Sequence, residues 1–172
     1  MASVLMVIAP SNFRDEELFD TRAELQKAGH RVVIASTVKG EARGMLGGKA
    51  NAEIAVSTAR AHEFDAIVFV GGIGVEESEL YEREDVLSLA RDGVAGNKVV
   101  AAICIAPRIL AKAGVLRGRK ATCFQDPTTA RILADGGATN TRADVEVDGK
   151  IITANGPRAA RKFGQAIAAA LG

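Results

Sequence analysis

Short, almost continuous runs of apolar residues alternate along the chain with segments in which apolar positions recur every three or four residues. The runs are SVLMVIA at 3–9, RVVIAS at 31–36, AIVFV at 66–70 and KVVAAI at 98–103. Runs so rich in Val, Ile and Ala are typical of strands that are buried on both faces. Their alternation with helical segments predicts an α/β fold, in which a mostly parallel central sheet carries helices on both faces.

The segment after the first run has the periodicity of an amphipathic helix. The positions on its buried face are spaced by three and four residues: Leu18, Thr21, Leu25 and Ala28. Acids stand at its start, where the helix dipole favours negative charge. Gly29 stands at its end, where a left-handed residue often follows a helix. Further helices are predicted over about 78–92 and at the end of the chain, over 157–171.

Two segments are predicted to form hairpins. One covers 43–54, and the other, EVDGKIIT at 146–153, turns at Asp148-Gly149, a dipeptide favoured in tight hairpin turns. No internal repeat, low-complexity tract or linker interrupts the 172 residues. A chain of this length buries a substantial core without disulfides or structural metal, so we expect a single domain over 1–172.

Composition and charge argue against several classes of protein. Lys and Arg number 22, Asp and Glu number 21, and no basic run suggests a phosphate backbone as ligand. We therefore expect no dedicated nucleic-acid partner. Only two cysteines are present, which fits a reducing compartment. The start of the chain has no basic leader and an apolar run too short for a signal or a membrane span, so we expect a cytoplasmic protein with no membrane partner.

Cys104 stands where the fourth apolar run ends, shortly before a helical pattern that begins at Pro107. Its sulfur is therefore predicted to lie in a strand-to-helix turn, a nucleophile elbow, at the carboxyl edge of the sheet where open α/β sheets bind ligands. The free N–H groups of the following helix favour the reactive thiolate, so we expect a partly accessible thiol of low pKa. The alternative is a buried cysteine that acts as a small hydrophobe.

Two further features fall at the same edge. Gly71 and Gly72 follow the third run, where their N–H groups can approach a ligand as in an oxyanion hole, although a tight turn also accounts for them. The sequence GGIGVEE has neither a dinucleotide fingerprint nor a phosphate loop, so no nucleotide site is expected. Of the acids Asp15, Glu16 and Glu17, we expect two to cap the first helix and one to point toward the sheet edge, where desolvation beside a thiolate would raise its pKa.

These motifs together resemble the PfpI-like (ThiJ/PfpI) superfamily, which includes the Parkinson-associated protein deglycase and the PfpI intracellular proteases. The resemblance rests on AAICIAPRILAKAG, FVGGIG, FRDEELFDTRAELQKAGH and IITANGP, and it covers essentially the whole chain. It implies a flavodoxin-like three-layer α/β sandwich, in a homodimer or an assembly of dimers. It also implies that Cys104 is the nucleophile, Glu17 its carboxyl partner, and the N–H groups of Gly72 and Ile105 the oxyanion donors.

The resemblance also implies a substrate pocket that includes Gly71, Phe124, Asn155 and Pro157. Two positions depart from the family pattern. Protease-like members have a histidine directly after the cysteine, where this chain has Ile105, and members often carry a histidine or tyrosine near the position of Phe124. A side chain without a proton-accepting group cannot act as the base of a cysteine peptidase.

The remaining candidate ligands do not replace that base. His30 precedes the second predicted strand and His62 lies in a polar loop before the third, and the pattern directs neither to Cys104. Two cysteines 19 positions apart and two isolated histidines do not make a zinc spacing, so no metal or other cofactor is expected. Cys123 is expected to be a buried small residue, with a resolving role toward oxidised Cys104 as the alternative.

Three classes of function fit this set of residues. The first is a cofactor-independent cysteine enzyme of the glyoxalase or deglycase type, which protects against stress by acting on 2-oxoaldehydes such as methylglyoxal or on their glycation adducts. The second is a redox-sensing or chaperone-like protein that responds to oxidation of Cys104. The third, an intracellular cysteine peptidase, is disfavoured by Ile105. We favour the first, in which the thiolate adds to the aldehyde and Glu17 moves a proton between carbons.

Overall fold

The computed structural model describes residues 1–172 and contains twelve strands and six α-helices. In chain order they are β1 Ser3–Val7, β2 Ser11–Phe13, α1 Asp15–Lys27, β3 Arg31–Ser36, β4 Gly40–Gly44, β5 Lys49–Ala52, β6 Ile54–Ala55, β7 Ala66–Phe69, α2 Gly74–Glu77, α3 Glu84–Ala95, β8 Val99–Ile103, α4 Pro107–Lys112, β9 Lys120–Ala121, α5 Pro127–Asp135, β10 Thr139–Asn140, β11 Val145–Asp148, β12 Ile151–Ala154 and α6 Ala160–Leu171.

The central sheet has seven strands in the order β11-β12-β8-β7-β1-β3-β6. Every neighbouring pair is parallel except β11 with β12. Helices α1 and α6 pack together on one face, while α3, α4 and α5 cover the other. This division follows from right-handed crossovers that proceed in opposite directions from β1. The predicted flavodoxin-like α/β sandwich with a mostly parallel sheet is therefore confirmed.

The strands at the centre of the sheet consist of apolar residues because both of their faces are covered. Every residue of β7 and β8 is buried, and the two strands pair in register from Ala66 with Val99 to Phe69 with Ala102. Their side chains belong to one contiguous cluster of 52 buried apolar residues. Because the strands are parallel, β1, β7 and β8 all end at the same edge, and the loops that follow them lie close together there.

The predicted hairpin at 43–54 is present, as β4 and β5 in a separate three-stranded sheet with β2. Its turn is held by the Asp15 carboxylate, which accepts hydrogen bonds from the N–H groups of Leu46 at 2.9 Å and Gly48 at 2.8 Å. The expectation that two of the acids cap α1 through their side chains is therefore wrong. Arg14 is the N-cap residue and makes no side-chain capping bond, and Glu16 pairs with the Arg14 guanidinium at 3.0 Å.

Two other predicted boundaries differ from the structure. The helix predicted over about 78–92 begins only at Glu84, because Glu79 adopts a left-handed conformation with φ 49° and breaks the path from α2. The second hairpin turns at Gly149 and Lys150 rather than one residue earlier, because Asp148 still pairs with Ile151. The terminal helix is confirmed as α6. None of the helices combines the length and the apolar character needed to cross a bilayer.

Candidate active site

The strand-to-helix turn at Cys104 has the predicted elbow geometry. Cys104 follows β8 directly, and its φ of 65° is a conformation that non-glycine residues seldom adopt outside strained turns and functional sites. Two hydrogen bonds fix its backbone: its N–H donates to the Ala154 carbonyl at 2.9 Å, and its carbonyl accepts from the Phe124 N–H at 2.8 Å. The residue is 9% exposed, so its sulfur is accessible only to a molecule that enters from the sheet edge.

The carboxyl of Glu17 is buried beside this thiol. Glu17 lies in the first turn of α1 and is 0% exposed. Neither of its carboxylate oxygens accepts a hydrogen bond of normal geometry. Burial raises the pKa of Glu17 from 4.5 to about 8, and the nearby Cys104 thiol and Gly71 N–H offset only part of that effect. Of the three acids that open α1, Glu17 is therefore the one directed at the sheet edge.

The pKa of the Cys104 thiol is raised, which corrects the expectation of a low-pKa thiol. Burial is the largest cause, and the adjacent Glu17 carboxylate adds to it by repelling a second negative charge. Helix α4 begins three residues later and is only six residues long, so its N-terminus does not outweigh the loss of water. The two groups therefore titrate as a pair that readily carries one negative charge, but not two.

The two N–H groups assigned as oxyanion donors lie near the sulfur. Those of Gly72 and Ile105 lower the pKa of Cys104, although burial has the larger effect. Neither N–H has a backbone acceptor. The φ of Gly72 is 109°, and a side chain there would overlap the backbone of residues 12–14. Glycine at this position thus lets the loop after β7 approach the segment that joins β2 to α1.

Gly71 is packed between the two members of the pair. A methyl group at this position would overlap Glu17 Oε1, and it would lie 2.7 Å from both the Cβ of Cys104 and the carbonyl of Ile103. The Gly71 carbonyl accepts a hydrogen bond from the Arg14 N–H at 2.9 Å, which joins this loop to the start of α1. Gly71 therefore sets the spacing of Glu17 and Cys104 rather than forming an open pocket wall.

A cleft of about 610 Å³ opens next to the elbow. Its nine lining residues are Phe124, Gln125, Asp144, Asn155, Gly156, Pro157, Arg158, Ala159 and Lys162. Three of the four predicted pocket residues are among them, whereas Gly71 is not, and Cys104 and Glu17 lie beyond its lining. The sequence interpretation missed Arg158 and Lys162. Their signal was a pair of cations spaced by four residues directly after NGP, although nothing in the pattern placed them at this edge.

Both histidines lie at the opposite edge of the sheet from Cys104. His30 precedes β3, and its Nδ1 accepts a hydrogen bond from the Ala2 N–H at 3.1 Å, beside the start of β1. His62 is exposed in a short 3₁₀ turn that precedes β7. Amino ends and carboxyl ends of parallel strands lie at opposite edges, so no imidazole of this chain reaches the sulfur. No group of three His, Cys, Asp or Glu side chains is arranged to hold a metal ion.

Cys123 is fully buried and forms no disulfide. Burial, and to a smaller extent the charge of Asp126, raise the pKa of its thiol to about 12. The side-chain amides of Gln125 and Asn140 each lie 3.9 Å from its sulfur. Cys123 is thus the buried small residue that the sequence predicted.

A buried guanidinium connects the loops that surround the elbow. Arg108, in α4, is 3% exposed and donates to Thr129 Oγ1 at 2.9 Å and to Glu76 at 3.1 Å. Its other terminal nitrogen lies 3.7 Å from Asp126, the N-cap of α5. One side chain thereby holds together the segment after β7, the elbow helix and the segment after Phe124. The sequence pattern places Arg108 on a helix but does not indicate these contacts.

The fold and this site define an α/β protein of the flavodoxin-like type with a cysteine elbow and a buried carboxyl partner. The DJ-1/PfpI family model matches residues 2–170, and the chain belongs to that family. An uncharacterized protein of Methanocaldococcus jannaschii is 45% identical over 163 residues, which are 95% of this chain and 79% of that protein. A protein of Pyrococcus horikoshii named a deglycase is 34% identical over 153 residues, which are 89% of this chain and 90% of the relative.

The solved structures show the same relationship. A ThiJ/PfpI domain protein from Brachyspira murdochii superposes with a TM-score of 0.94 at 35% sequence identity, and the match covers 98% of this chain and 95% of that one. The predicted family is confirmed, and relatives named deglycases support an enzymatic role of the DJ-1/PfpI kind.

Proposed function

We propose that this protein is a cofactor-independent cysteine enzyme that converts 2-oxoaldehydes such as methylglyoxal, or their early adducts with thiols and amines, into 2-hydroxy acids. The observation that carries the proposal is the Glu17–Cys104 pair, a carboxyl without a hydrogen-bond partner beside an elbow thiol. A carboxyl whose pKa is near 8 can both donate and accept a proton at physiological pH, which is what an isomerisation between adjacent carbons requires.

The reaction starts from the pair after it has lost one proton, with the charge on the Glu17 carboxylate, which takes the proton of the Cys104 thiol as the sulfur attacks. The thiolate attacks the aldehyde carbon, a C–S bond forms, and Glu17 protonates the new oxyanion, which the N–H groups of Gly72 and Ile105 stabilise. The Glu17 carboxylate then takes the hydrogen of that carbon as a proton and returns a proton to the neighbouring carbonyl carbon, while the hydroxyl proton of the first carbon passes to the oxygen of the second. The product of this internal redox step is a thioester of the 2-hydroxy acid.

Water completes the turnover by hydrolysing the thioester, which releases the hydroxy acid and regenerates the thiol. Atoms and electrons balance because one carbon is oxidised while its neighbour is reduced, so no external oxidant or cofactor is needed. Cysteine peptidases use a histidine that takes the proton of the thiol and then, as an acid, protonates the amine leaving group. Ile105 occupies the position next to the cysteine, and both histidines lie at the other edge of the sheet.

A second candidate function rests on the same pair. A protonated carboxyl beside Cys104 is placed to donate a hydrogen bond to a sulfinate, so peroxide sensing through oxidation of this thiol is the alternative. We further propose that the protein acts in the reducing cytoplasm, where its two free cysteines persist, and as a homodimer or an assembly of dimers.

The proposed function is tested by incubating the purified protein with methylglyoxal and measuring lactate. We expect turnover by the wild type and by Cys123→Ser, and none by Cys104→Ser, because only Cys104 stands at the elbow. Cys123→Ser is the matched control, since it also removes a buried thiol. Lactate formation by Cys104→Ser, or its absence from the wild type, would contradict the assignment. A peptide substrate in the same assay should remain intact.

A further inference from the structure

The cleft beside the elbow is much larger than the reacting group of the proposed substrate. Its volume of about 610 Å³ falls in the range of pockets that hold whole small molecules. Methylglyoxal has only a few heavy atoms and would fill a small part of it. Asn155 directly follows the residue whose carbonyl binds the Cys104 N–H, and the Phe124 N–H donates to the Cys104 carbonyl, so the lining of the cleft borders the backbone of the elbow.

The charges in the cleft are unbalanced. Arg158 and Lys162 both line it and are exposed, and neither forms an ion pair or a hydrogen bond within the chain, whereas the neighbouring Arg161 pairs with Glu24. The two free cations face the same space and repel each other. The single acid in the lining is Asp144, whose Oδ1 accepts a hydrogen bond from the Asn155 amide at 3.1 Å.

The remaining lining groups suit the organic part of a ligand. The ring of Phe124 is 48% exposed and gives the cleft an apolar wall. The Asn155 amide donates to Asp144 and keeps its oxygen available as an acceptor, whereas the Gln125 amide is engaged by the Cys123 carbonyl and by Asn140. An apolar wall with a few polar groups and unpaired cations is the composition of a site for a small anionic organic molecule.

We propose that this cleft binds the carrier to which the 2-oxoaldehyde is attached, a small thiol or amine that bears a carboxylate or a phosphate, with its negative charge held by Arg158 and Lys162. This inference rests on the proposed function and narrows its substrate class. Cys104 replaces the carrier on the former aldehyde carbon: a C–S bond to Cys104 forms, the bond to the carrier breaks, and the carrier leaves as the free thiol or amine with the proton of the Cys104 thiol. The anionic end of the carrier lies in the cleft during this exchange. Free methylglyoxal is then a poor substrate compared with an anionic adduct of it.

The first test compares two alkylating agents that differ in charge. Iodoacetamide is neutral and iodoacetate is anionic, and each forms a C–S bond to Cys104 with loss of iodide. We expect Arg158→Ala/Lys162→Ala to lower the ratio of the iodoacetate rate to the iodoacetamide rate at least about fivefold at low salt, while the iodoacetamide rate changes less than about twofold. The control Lys27→Ala/Lys39→Ala removes the same charge from two exposed lysines elsewhere and should preserve the ratio.

The second test compares substrates. Methylglyoxal hemithioacetals formed with glutathione and with 2-mercaptoethanol contain the same reacting carbons on an anionic and a neutral carrier. We expect Arg158→Ala/Lys162→Ala, the double cleft variant, to lose about tenfold or more in kcat/KM for the glutathione adduct. Its kcat/KM for the 2-mercaptoethanol adduct should remain that of the wild type. Protection of Cys104 from iodoacetamide by S-methylglutathione or by glycerol 3-phosphate distinguishes a carboxylate-bearing from a phosphate-bearing carrier.

The outcomes separate this inference from the proposed function. A wild-type Cys104 that reacts with neither alkylating agent would refute the nucleophile and with it the proposed function. A reactive Cys104 whose ratio of rates is the same in the wild type and the double cleft variant would overturn the anion site alone. Equal losses with both hemithioacetals would also overturn it, since they would show a general defect rather than a site for charge.

Discussion

The Glu17 carboxyl and the Cys104 thiol share one buried space at the carboxyl edge of the sheet, where burial raises the pKa of both and the Glu17 charge raises that of Cys104 further. Glu17 reaches this space from the first turn of α1, and Cys104 from the turn after β8. The two groups are thus brought together by strands and helices far apart in the chain. Their chemistry depends on how one proton is distributed between them.

The first prediction concerns the pH dependence of Cys104 reactivity. Because burial holds the pKa of Glu17 near 8, the pair keeps both protons at pH 6 and loses the first as the pH rises through about 8. The Glu17 carboxylate formed in this interval can take the proton of the Cys104 thiol, so the rate of alkylation by iodoacetamide, followed by intact mass, should increase across it. Cys123→Ser should give the same profile. An alkylation rate already at its maximum at pH 6.5 would contradict this prediction, because it would show that the Cys104 thiol has the low pKa expected from its position in the elbow.

The second prediction concerns stability. The pKa of Glu17 is raised from 4.5 in the unfolded chain to about 8 in the folded protein, so its neutral form favours folding. This contribution is complete below pH 4.5 and is lost as the pH rises to about 8. Glu17→Gln stays neutral throughout. Relative to the wild type, its free energy of unfolding should increase between pH 4.5 and pH 8, by roughly 4 kcal/mol if the full shift is realised.

Urea denaturation at several pH values measures this difference. Glu16→Gln is the control, because pairing with Arg14 lowers the pKa of Glu16 and gives a pH dependence of the opposite sign, in which stabilisation is lost as the pH falls. If the wild type and Glu17→Gln respond identically to pH, the Glu17 carboxyl ionises as easily in the folded protein as in the unfolded chain.

The third prediction concerns the spacing of the pair. Gly71→Ala would place a methyl group against Glu17 Oε1 and the Cβ of Cys104, so one of these side chains must move. We expect lactate formation from methylglyoxal to fall at least about tenfold, because proton transfer requires hydrogen-bonding distances. Gly29→Ala is a useful comparison, since nothing lies within 4 Å of its added methyl group, although its φ of 88° also imposes strain. Full activity in Gly71→Ala would show that the spacing is not critical.

Much of the fold could be predicted from the sequence because its causes are local. The apolar runs that became β1, β3, β7 and β8 needed only residue type and length, and Gly29 marked the end of α1 through its left-handed conformation. The break at Glu79 could not be predicted in this way, because its left-handed φ is not a preference of glutamate. Tertiary contacts, rather than local preference, determine such a position.

The sequence could indicate which residues form the candidate site, but not how burial changes their pKa values. Cys104 was marked by its place between a strand and Pro107, and Glu17 was selected by family resemblance, since the pattern alone does not tell which acid of α1 turns inward. The low pKa expected for Cys104 was wrong because the degree of burial is not visible in the sequence. Arg108 and Lys162 were missed because their roles depend on the packing of distant segments.

The proposed reaction depends on Glu17 moving protons for Cys104. This role is measured by the rate of lactate formation from methylglyoxal by Glu17→Gln, with Glu16→Gln as the matched control. We expect a loss in kcat of about a hundredfold or more for Glu17→Gln, with Cys104 still alkylated by iodoacetamide at pH 9 and Glu16→Gln within about twofold of the wild type. Turnover by Glu17→Gln within a few fold of the wild type would show that Glu17 does not move these protons.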